Sequence, residues 1–592
     1  MGPAHEDAHL ARAIEFHHMD DTQTIERGGR RWRVCARAAE PLLAGGWPLD
    51  DPARLTVVKQ GAGRTVCRCQ AGGVIFFVKR YTGGGLLRQL RARLGLGPAR
   101  REWDALLAAG DAGIDVPEPV ALALAGEETL VTREIPAARR LDEYLFDRYF
   151  EPLPGDPPYP GARPPELVSL FRRRRVPPEG TITPRDLADG LADVLARLAR
   201  ADLYLPDLHP GNILISGGPG AWRLSVVDLA EAVHPATDET TLKHLMQLEH
   251  FFEPIASASE RLRCLERVRA RGVSVPNART VARATAQYRH RFYNRRDRRT
   301  RRESKYFRRI IGGGWHGWAT ADWADAVQAL LARAAEKGSD PFSGRAVTLK
   351  EGRTSTVRRM PLDDGRQLVL KRHNRADERD LVQAILRPSR SMAAFRLGHA
   401  LLARGIATAR PAAAMDYRPG SSTRDTLLAT EFIAGGEPLS DWLRRNPPAA
   451  ARHRVTWLLA RLVRRMHDLD ISQRDLKAPN ILIAPDSGAG PRPVLIDLDG
   501  LRVGHHVSSG RRAQNLMRLS VSLDEWGVAR RTDRLRFLRA YLGRKGCMRP
   551  IAVLGRRRGS TRFAERLRRW WKRIARSSAR KMAALQRKQA KA

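Results

Sequence analysis

The first half of the chain alternates between strand-type and helix-type patterns of apolar residues. From about residue 52, "RLTVVKQGAGRTVCRCQAGGVIFFVKRY" is rich in alternating, β-branched and aromatic positions, which predicts strands with a hairpin at Gly72-Gly73. The stretch "ARREWDALLAAGDAGIDVPEPVAL" then predicts a helix that ends near Gly110 and Gly113, with a strand after it. A later stretch, "PRDLADGLADVLARLARADLY", predicts a second helix.

A proline-rich stretch interrupts this order. Residues 151–180 contain "EPLPGDPPYPGARPP" and "RRRRVPPEG". Because proline lacks an amide hydrogen and has a fixed φ, such a segment cannot continue a helix or a central strand. We therefore expect an inserted loop there.

The second half repeats the same order of elements. "GRTSTVRRMPLDDGRQLVLKRH" predicts a hairpin that turns at Asp364-Gly365, and "SMAAFRLGHALLARGIATARPAAA" predicts the matching helix. Gly405 stands where the first half has Gly113. Matching positions lie 268 to 292 residues apart, and so long a period indicates a duplicated domain rather than a solenoid.

Each copy carries the same polar residues in the same order. An apolar strand ends in a lysine, a loop then holds Asp-x4-Asn, and a second apolar strand ends in an aspartate. The set is Lys79, Asp207, Asn212 and Asp228 in the first copy, and Lys371, Asp475, Asn480 and Asp497 in the second. One Asp-x4-Asn would be weak evidence, but the ordered set occurring twice is a strong indication of shared chemistry.

Phosphoryl transfer from ATP needs such a set. A strand lysine neutralises phosphate oxygens, and an asparagine and an aspartate hold Mg²⁺ against them. The loop aspartate orients the attacking hydroxyl and accepts its proton. We therefore predict ATP and Mg²⁺ as cofactors, Asp207 and Asp475 as bases, and Asn212, Asp228, Asn480 and Asp497 as metal ligands.

The two copies differ around the strand lysine. Kinases commonly pair this lysine with a helix glutamate, and Glu102 fits that role for Lys79. The equivalent position in the second copy is Ala394. We therefore expect Lys371 to use another acid, such as Glu378, or to be positioned differently.

The two loops differ as well. Pro206 precedes the loop aspartate in the first copy, where the second has Arg474, and His209 stands where the second has Lys477. Either His209 or Lys477 could touch a transferring phosphate. "KQGAGRTV" is a fair phosphate-covering glycine loop, and "KEGRTSTV" is a poor one. The sequence leaves open which copy is catalytic.

These motifs resemble the protein-kinase-like superfamily. "DLHPGNILI" resembles the loop of small-molecule phosphotransferases, and "RDLKAPNILI" resembles that of protein kinases. The stretches "TEFIAGGEPLSDWL", "VLIDLDGLRV" and "RRAQNLMRLSVS" extend the resemblance to the bacterial lipopolysaccharide core kinases, which phosphorylate heptose or Kdo. The resemblance covers about residues 340–545 and, more loosely, about 52–265. A tandem chain departs from the usual single-domain enzyme.

The expected fold class is therefore α+β, with two tandem protein-kinase-like domains, each made of a β-rich N-lobe and a helical C-lobe. A chain of 592 residues has room for both. The predicted boundaries are an N-terminal extension (1–51), a first domain (52–270), a basic connector (271–338), a second domain (339–548) and a basic amphipathic tail (549–592).

Basic residues outnumber acidic ones by 41, which calls for an anionic partner. The excess is concentrated in residues 289–309 and in the tail from Arg556. Residues 289–309 read as a solvated connector, as a site for a sugar or lipid A phosphate, or less readily as a nucleic-acid site. In the tail, Phe563, Leu567, Trp570, Trp571 and Ile574 share one helix face. That face favours an anionic membrane surface over packing onto the domain, and nucleic acid is unlikely.

Other classes are excluded or disfavoured by composition. Five scattered cysteines do not make a disulfide framework, and Cys67 and Cys69 read as strand residues rather than as part of a zinc site. The N-terminus lacks the apolar core of a secretory signal, and no apolar run would span a bilayer. The expected location is cytoplasmic, peripherally associated with the inner membrane.

The expected function is ATP-dependent phosphorylation of a lipopolysaccharide inner-core sugar, heptose or Kdo, or of another phosphorylated glycolipid, at the cytoplasmic membrane face. This is what the resemblance implies. A Ser/Thr protein kinase is one alternative, although no recognisable activation segment follows Asp497. A membrane-associated pseudokinase scaffold is the other, although such proteins usually lose one of these aspartates.

Overall fold

The structure is a computed structural model of the 592-residue chain. It describes residues 22–61, 63–82, 97–152, 171–174, 176–233, 238–336, 341–342, 346–352, 355–373, 388–417, 425–485, 490–543 and 559–589. The predicted loop at 151–180 and Glu378 lie largely or wholly outside these residues. The chain divides into a first unit (1–151 and 173–288) and a second unit (152–172 and 289–592).

The first unit contains a seven-stranded antiparallel sheet in the order β1-β2-β6-β7-β5-β4-β3. Its strands are β1 (Thr22–Arg27), β2 (Arg30–Cys35), β3 (Thr56–Gly61), β4 (Arg64–Ala71), β5 (Val74–Arg80), β6 (Pro119–Ala123) and β7 (Thr129–Arg133). The predicted hairpin is confirmed, because Gly72 and Gly73 both adopt the positive φ that a tight β4–β5 turn requires. Cys67 and Cys69 lie buried on β4 as free strand residues.

Two helices flank this sheet, α1 (Ala36–Ala44) and α2 (Pro98–Asp111). The helix predicted before Gly113 is α2, and Gly113 has a φ of +70°. The remaining helices that begin in this unit are α3 (Leu141–Tyr149), α4 (Pro184–Arg200), α5 (Asp238–Phe252), α6 (Ala258–Ala270) and α7 (Ala278–Asp297). Short strands accompany them: β8 (Arg139–Arg140), β9 (Phe150–Pro152), β10 (Phe171–Arg173), β11 (Ile213–Ser216) and β12 (Arg223–Val226).

The second unit contains a seven-stranded sheet with the same order of strands, β13-β14-β18-β19-β17-β16-β15. Its strands are β13 (Phe307–Gly312), β14 (Trp315–Thr320), β15 (Val347–Glu351), β16 (Ser355–Pro361), β17 (Gln367–His373), β18 (Pro411–Tyr417) and β19 (Asp425–Glu431). The turn predicted at Asp364-Gly365 joins β16 to β17. Helices α8 (Ala321–Glu336) and α9 (Arg390–Ala403) flank the sheet.

The rest of the second unit is mostly helical. Its helices are α10 (Leu439–Arg444), α11 (Ala449–Asp468), α12 (Ser509–Glu525), α13 (Arg531–Leu542) and α14 (Gly559–Gln589). Its short strands are β20 (Glu437–Pro438), β21 (Ile471–Gln473), β22 (Ile481–Ala484), β23 (Arg492–Leu495) and β24 (Leu501–Val503). Buried apolar side chains of α11, α12 and α13 form the core that supports β21 and β22. The chain is therefore a mixed α and β protein, as expected for an α+β fold.

Each sheet extends beyond the boundary drawn from the sequence. The first takes β1 and β2 from the predicted N-terminal extension, and the second takes β13 and β14 from the predicted connector. These hairpins join their sheets through β2–β6 and β14–β18 pairs, which link segments about 90 residues apart. Periodicity along the chain carries no signal for such non-local pairing, so the boundaries at 52 and 339 cut through the sheets.

Candidate active site

In the first unit, Lys79 lies near the end of β5 and meets an acid from helix α2. The Lys79 ammonium forms an ion pair with the buried carboxylate of Glu102. The hydroxyl of Tyr81 donates a hydrogen bond to the other oxygen of Glu102 at 2.5 Å. The buried carboxylate therefore has one cationic partner and one neutral hydrogen-bond donor, which offset the cost of removing it from water. The structure brings together the lysine and the helix glutamate that the sequence paired.

Asp228 follows β12 and has a φ of +67°, an unfavourable backbone conformation for a residue with a side chain. Both of its carboxylate oxygens accept hydrogen bonds from the Arg64 guanidinium, at 2.6 and 3.0 Å. Burial alone would raise the pKa of Asp228, but the hydrogen bonds from Arg64 and the charges of Lys79 and Arg64 outweigh it and hold the pKa below its usual value. Sequence reasoning missed Arg64.

The loop between Asp207 and Asn212 is fixed by its own hydrogen bonds. The Asn212 side-chain amide donates to the backbone carbonyl of Asp207 at 3.0 Å. The backbone carbonyl of Asn212 accepts from the amide of Val227, directly before Asp228, at 3.0 Å. The Asp207 side chain is 71% exposed, with His209 Nε2 at 3.6 Å. The loop that carries Asp207 and Asn212 is therefore tied by hydrogen bonds to the segment that leads into Asp228.

The second unit builds a matching arrangement around Lys371, which lies near the end of β17. Its ammonium lies 3.0 Å from an oxygen of Asp497 and 2.9 Å from an oxygen of Asp499. Burial alone would lower the pKa of Lys371, but the charges of Asp497 and Asp499 outweigh it and raise the pKa. Lys371 therefore remains cationic at neutral pH.

The loop that carries Asp475 repeats the bonding seen in the first unit. The Asn480 side-chain amide donates to the backbone carbonyl of Asp475 at 3.0 Å, and the Asn480 carbonyl accepts from the amide of Ile496, directly before Asp497, at 3.2 Å. The Lys477 ammonium lies 2.8 Å from the Asp475 carboxylate. The likeness of the two loops is therefore one of geometry as well as of sequence.

Comparison with known proteins gives this arrangement a family. Residues 343–541, a third of the chain, match the family model described as "Lipopolysaccharide kinase (Kdo/WaaP) family". The lipopolysaccharide kinase segment is therefore residues 343–541, the part of the chain that is similar to this family. The family consists of kinases, which are phosphotransferases that act on a sugar hydroxyl. The match includes Lys371, Asp475, Asn480 and Asp497.

A curated relative agrees with this assignment. The chain is 28% identical over 147 residues to the lipopolysaccharide core heptose(I) kinase WaaP of Pseudomonas aeruginosa. The aligned region covers 24% of this chain and 54% of the relative. The chain thus spans about half the length of the curated relative that it matches.

Within the lipopolysaccharide kinase segment, Asp499 forms an ion pair with Lys371, as Glu102 does with Lys79 in the first unit. Ala394 lies buried on α9 and has no group that could bind a lysine. Asp499 holds the ammonium instead, and its backbone amide donates to the Asp497 carboxylate at 3.2 Å. Asp499 was missed from the sequence, although an acid two residues after the metal aspartate was the available signal.

Gln473 and a buried histidine fix the backbone around the second site. The Gln473 side chain donates to the carbonyl of Asp497 at 2.8 Å and accepts from the amide of Asp475 at 3.3 Å. His467 contacts the Tyr541 hydroxyl at 2.8 Å and the Asn515 side-chain oxygen at 3.0 Å. Burial lowers the pKa of His467 to about 4, so its ring is neutral at pH 7. Gln473 therefore links the segments of Asp475 and Asp497, and its own backbone amide shares the Asn515 side-chain oxygen with His467.

The residues of the lipopolysaccharide kinase segment suit a magnesium ion whose coordination shell is completed by waters and substrate phosphates. Among the described residues there is no cluster of three or more His, Cys, Asp or Glu side chains that could hold a metal by themselves. Mg²⁺ is usually bound through one or two carboxylates together with waters and substrate phosphates. Asn480 and Asp497, with Asp499 beside them, supply the oxygen donors that such an ion takes.

The basic tail is a helix whose apolar face is partly buried against the protein. Phe563, Leu567, Trp570, Trp571 and Ile574 pack against the helical core of the lipopolysaccharide kinase segment. Packing onto the domain was the second interpretation of this pattern. In the structure, the apolar side chains that would enter a membrane pack against the domain instead. In the described residues, no helix is both long and apolar enough to cross a bilayer.

Proposed function

We propose that this protein is an ATP-dependent kinase that phosphorylates a sugar hydroxyl of the lipopolysaccharide inner core, heptose or Kdo. One observation carries the proposal. Inside the segment that matches the lipopolysaccharide kinase family, Lys371 contacts Asp497 at 3.0 Å, and the Asn480 backbone joins the base loop to the residue before Asp497. The strand lysine, the loop aspartate and the two candidate metal ligands thus lie on segments joined by direct contacts, and this supports phosphoryl transfer, which needs such groups around one site.

Each residue has a role in this proposal. Lys371 neutralises phosphate oxygens of ATP, while Asn480 and Asp497 hold Mg²⁺, which neutralises the charge that develops on the phosphoryl group. Asp475 faces the acceptor, orients its hydroxyl and accepts its proton. Lys477, paired with Asp475, lies where it can approach the transferring phosphate. Positioning and charge neutralisation supply most of the rate, so few groups are needed.

The first unit repeats the arrangement with Lys79, Glu102, Asp207, Asn212 and Asp228. Its sheet has the same strand order as the second, which supports two tandem protein-kinase-like domains. We assign catalysis to the second site, because the family match lies there and does not extend to the first unit. In the first unit, the candidate metal ligand Asp228 is paired with the Arg64 guanidinium.

The basic face of α14 supports a peripheral position at the cytoplasmic face of the inner membrane. Its exposed cations include Arg566, Arg568, Arg569, Lys572, Arg573, Arg576, Arg580 and Lys581. Because the apolar face packs on the protein, attachment by this helix would be electrostatic rather than by insertion. Lipid A phosphates and anionic lipid headgroups both fit such a surface.

Replacing Arg568, Arg569 and Lys572 together by glutamate should weaken binding to phosphatidylglycerol-containing vesicles by at least about 100-fold, because each cation near such a surface contributes about 1 kcal/mol. Vesicle co-sedimentation at 0.15 M salt measures this. The matched control reverses Arg27, Arg30 and Arg31, exposed on the β1–β2 hairpin of the first unit. Equal loss of binding in both triple variants would contradict a role for α14.

The sugar acceptor can be tested directly. The full chain is incubated with ATP, Mg²⁺ and core oligosaccharide from a strain that lacks the corresponding gene, and the product is analysed by mass spectrometry. The expected result is a gain of one phosphate on heptose or Kdo, with that phosphate missing from the core of the deletion strain. An intact core in that strain would exclude the sugar. Phosphate on Ser or Thr of an added protein would favour the protein-kinase alternative. The absence of any phosphate transfer would favour the scaffold alternative.

A further inference from the structure

Arg64 is a cation of the first site that contacts Asp228, the counterpart of Asp497. It begins β4, and its guanidinium binds both oxygens of the Asp228 carboxylate at 2.6 and 3.0 Å. Side-chain exposure is 23% for Arg64 and 31% for Asp228, so solvent screens the pair only in part. A bidentate pair of this kind is among the stronger charge-assisted hydrogen-bond arrangements in proteins.

The sheet register identifies the residue that corresponds to Arg64 in the second unit. Val66 pairs with Lys79 on β5, and Val357 pairs with Lys371 on β17. Two positions earlier on the respective strands stand Arg64 and Ser355. The second site therefore has a small neutral side chain where the first has a guanidinium.

The charges around the two metal aspartates differ in consequence. In the first site, the cations Arg64 and Lys79 balance the carboxylates of Glu102 and Asp228. In the second, Lys371 contacts the two carboxylates of Asp497 and Asp499, so these three side chains together carry a net charge of −1. An excess negative charge attracts a divalent cation, whereas a balanced centre does not need one.

A guanidinium can also connect the groups that a metal ion connects in a kinase. It presents donors in a rigid planar fork, and two of the Arg64 nitrogens each donate to Asp228. Its other donors can reach a phosphate oxygen while the carboxylate remains bound. On β3, Lys59 pairs with Val66, the residue that pairs with Lys79 on its other side, and it adds a further cation for a polyphosphate.

We propose that the first site binds a nucleoside triphosphate without a divalent cation, with Arg64 bridging Asp228 and the phosphates. The site would then hold a nucleotide without transferring phosphate, and ATP bound there would stabilise the first unit. This role is additional to sugar phosphorylation at the second site and involves different residues.

The test uses the full chain carrying Lys371→Met, which removes the phosphate-binding cation of the second site so that binding reports on the first. Isothermal titration calorimetry with ATP is run in excess EDTA and again with Mg²⁺. The expected result is about one equivalent bound in EDTA, with affinity changed less than about threefold by Mg²⁺. With Arg64 intact, the absence of ATP binding in EDTA, or ATP binding that needs Mg²⁺, would overturn the proposal.

Variants at position 64 then identify the group responsible. In the Lys371→Met background, Arg64→Ser copies the second site and should weaken ATP binding in EDTA by at least about tenfold, since hydrogen bonds to charged groups are lost. Added Mg²⁺ should then restore binding, because Asp228 is free to hold it. Arg64→Lys keeps the charge without the fork and should fall between the two. Unchanged affinity in Arg64→Ser would refute the role of Arg64.

Thermal unfolding without nucleotide checks that each variant is folded, and a rise in the unfolding temperature on adding ATP in EDTA is a second readout. Sugar phosphorylation does not enter either measurement. If the chain binds ATP in EDTA but transfers no phosphate to core sugar, this inference holds and the proposed function is wrong. A chain that phosphorylates core sugar but binds ATP only with Mg²⁺ would lose this inference alone.

Discussion

We expect Asp475→Asn to lower kcat for sugar phosphorylation by about 10²- to 10⁴-fold, the usual contribution of a general base. The asparagine amide keeps the size of the side chain but cannot accept the acceptor's proton. Affinity for ATP should change little, because in the proposed arrangement Asp475 faces the acceptor and the metal is held by Asn480 and Asp497. Steady-state kinetics with core oligosaccharide and ATP separate the two effects.

The matched control for this substitution is Asp441→Asn on α10. Asp441 is also an aspartate paired with a basic side chain, here Arg444 at 2.9 Å, and it is 46% exposed. Exposed pairs of this kind contribute little to stability, so its kcat should stay near that of the wild type. A similar kcat for Asp475→Asn and the unsubstituted chain would show that the proton acceptor lies elsewhere, and a kcat that falls only in Asp207→Asn would move catalysis to the first unit.

Asp499→Asn should raise the KM for ATP by about tenfold, a moderate loss for a hydrogen bond to a charged group. Asp499 is a positioning residue. Its carboxylate holds the Lys371 ammonium at 2.9 Å, where the first unit uses Glu102. Without the Asp499 carboxylate, the Lys371 ammonium pairs with Asp497 alone and competes with the proposed Mg²⁺ for that carboxylate. Kinetics at varied ATP concentration measure the change.

A conservative variant separates positioning from a general structural role. Asp499→Glu keeps the charge and should recover most of the ATP affinity, whereas a purely structural position would lose stability in both variants. The KM for core sugar should be nearly unchanged, since the acceptor lies beside Asp475. Equal ATP affinity in wild type and Asp499→Asn would mean that Lys371 is positioned by something other than Asp499.

Some of the site could be read from the sequence because it is local. A lysine near the end of an apolar strand, an Asp-x4-Asn loop and an aspartate after an apolar strand are patterns that each span only a few residues. Once both loops fold with the same internal hydrogen bonds, Asn212 and Asn480 necessarily lie beside the strands that carry Asp228 and Asp497. The turns at Gly72-Gly73 and Asp364-Gly365 were predictable for the same reason.

Other parts of the site depend on contacts between distant segments. Arg64 and Asp228 are 164 residues apart, and Lys371 and Asp499 are 128 apart. The sequence showed that Ala394 cannot pair with a lysine, but not which acid would. The tail shows the same limit, because an apolar face with two tryptophans favoured a membrane surface in the sequence, whereas in the structure it packs on the helical core.

By itself, then, the sequence determined the order of elements, their repetition, the candidate phosphotransfer residues and the resemblance of the second half to the lipopolysaccharide kinases, all of which follow from short-range patterns. Only the tertiary structure decided that each sheet has seven strands, which cations meet which carboxylates, and that α14 packs on the helical core. The physical reason is that backbone propensity and residue type act over a few positions, whereas ion pairing and burial depend on which distant segments the fold brings together.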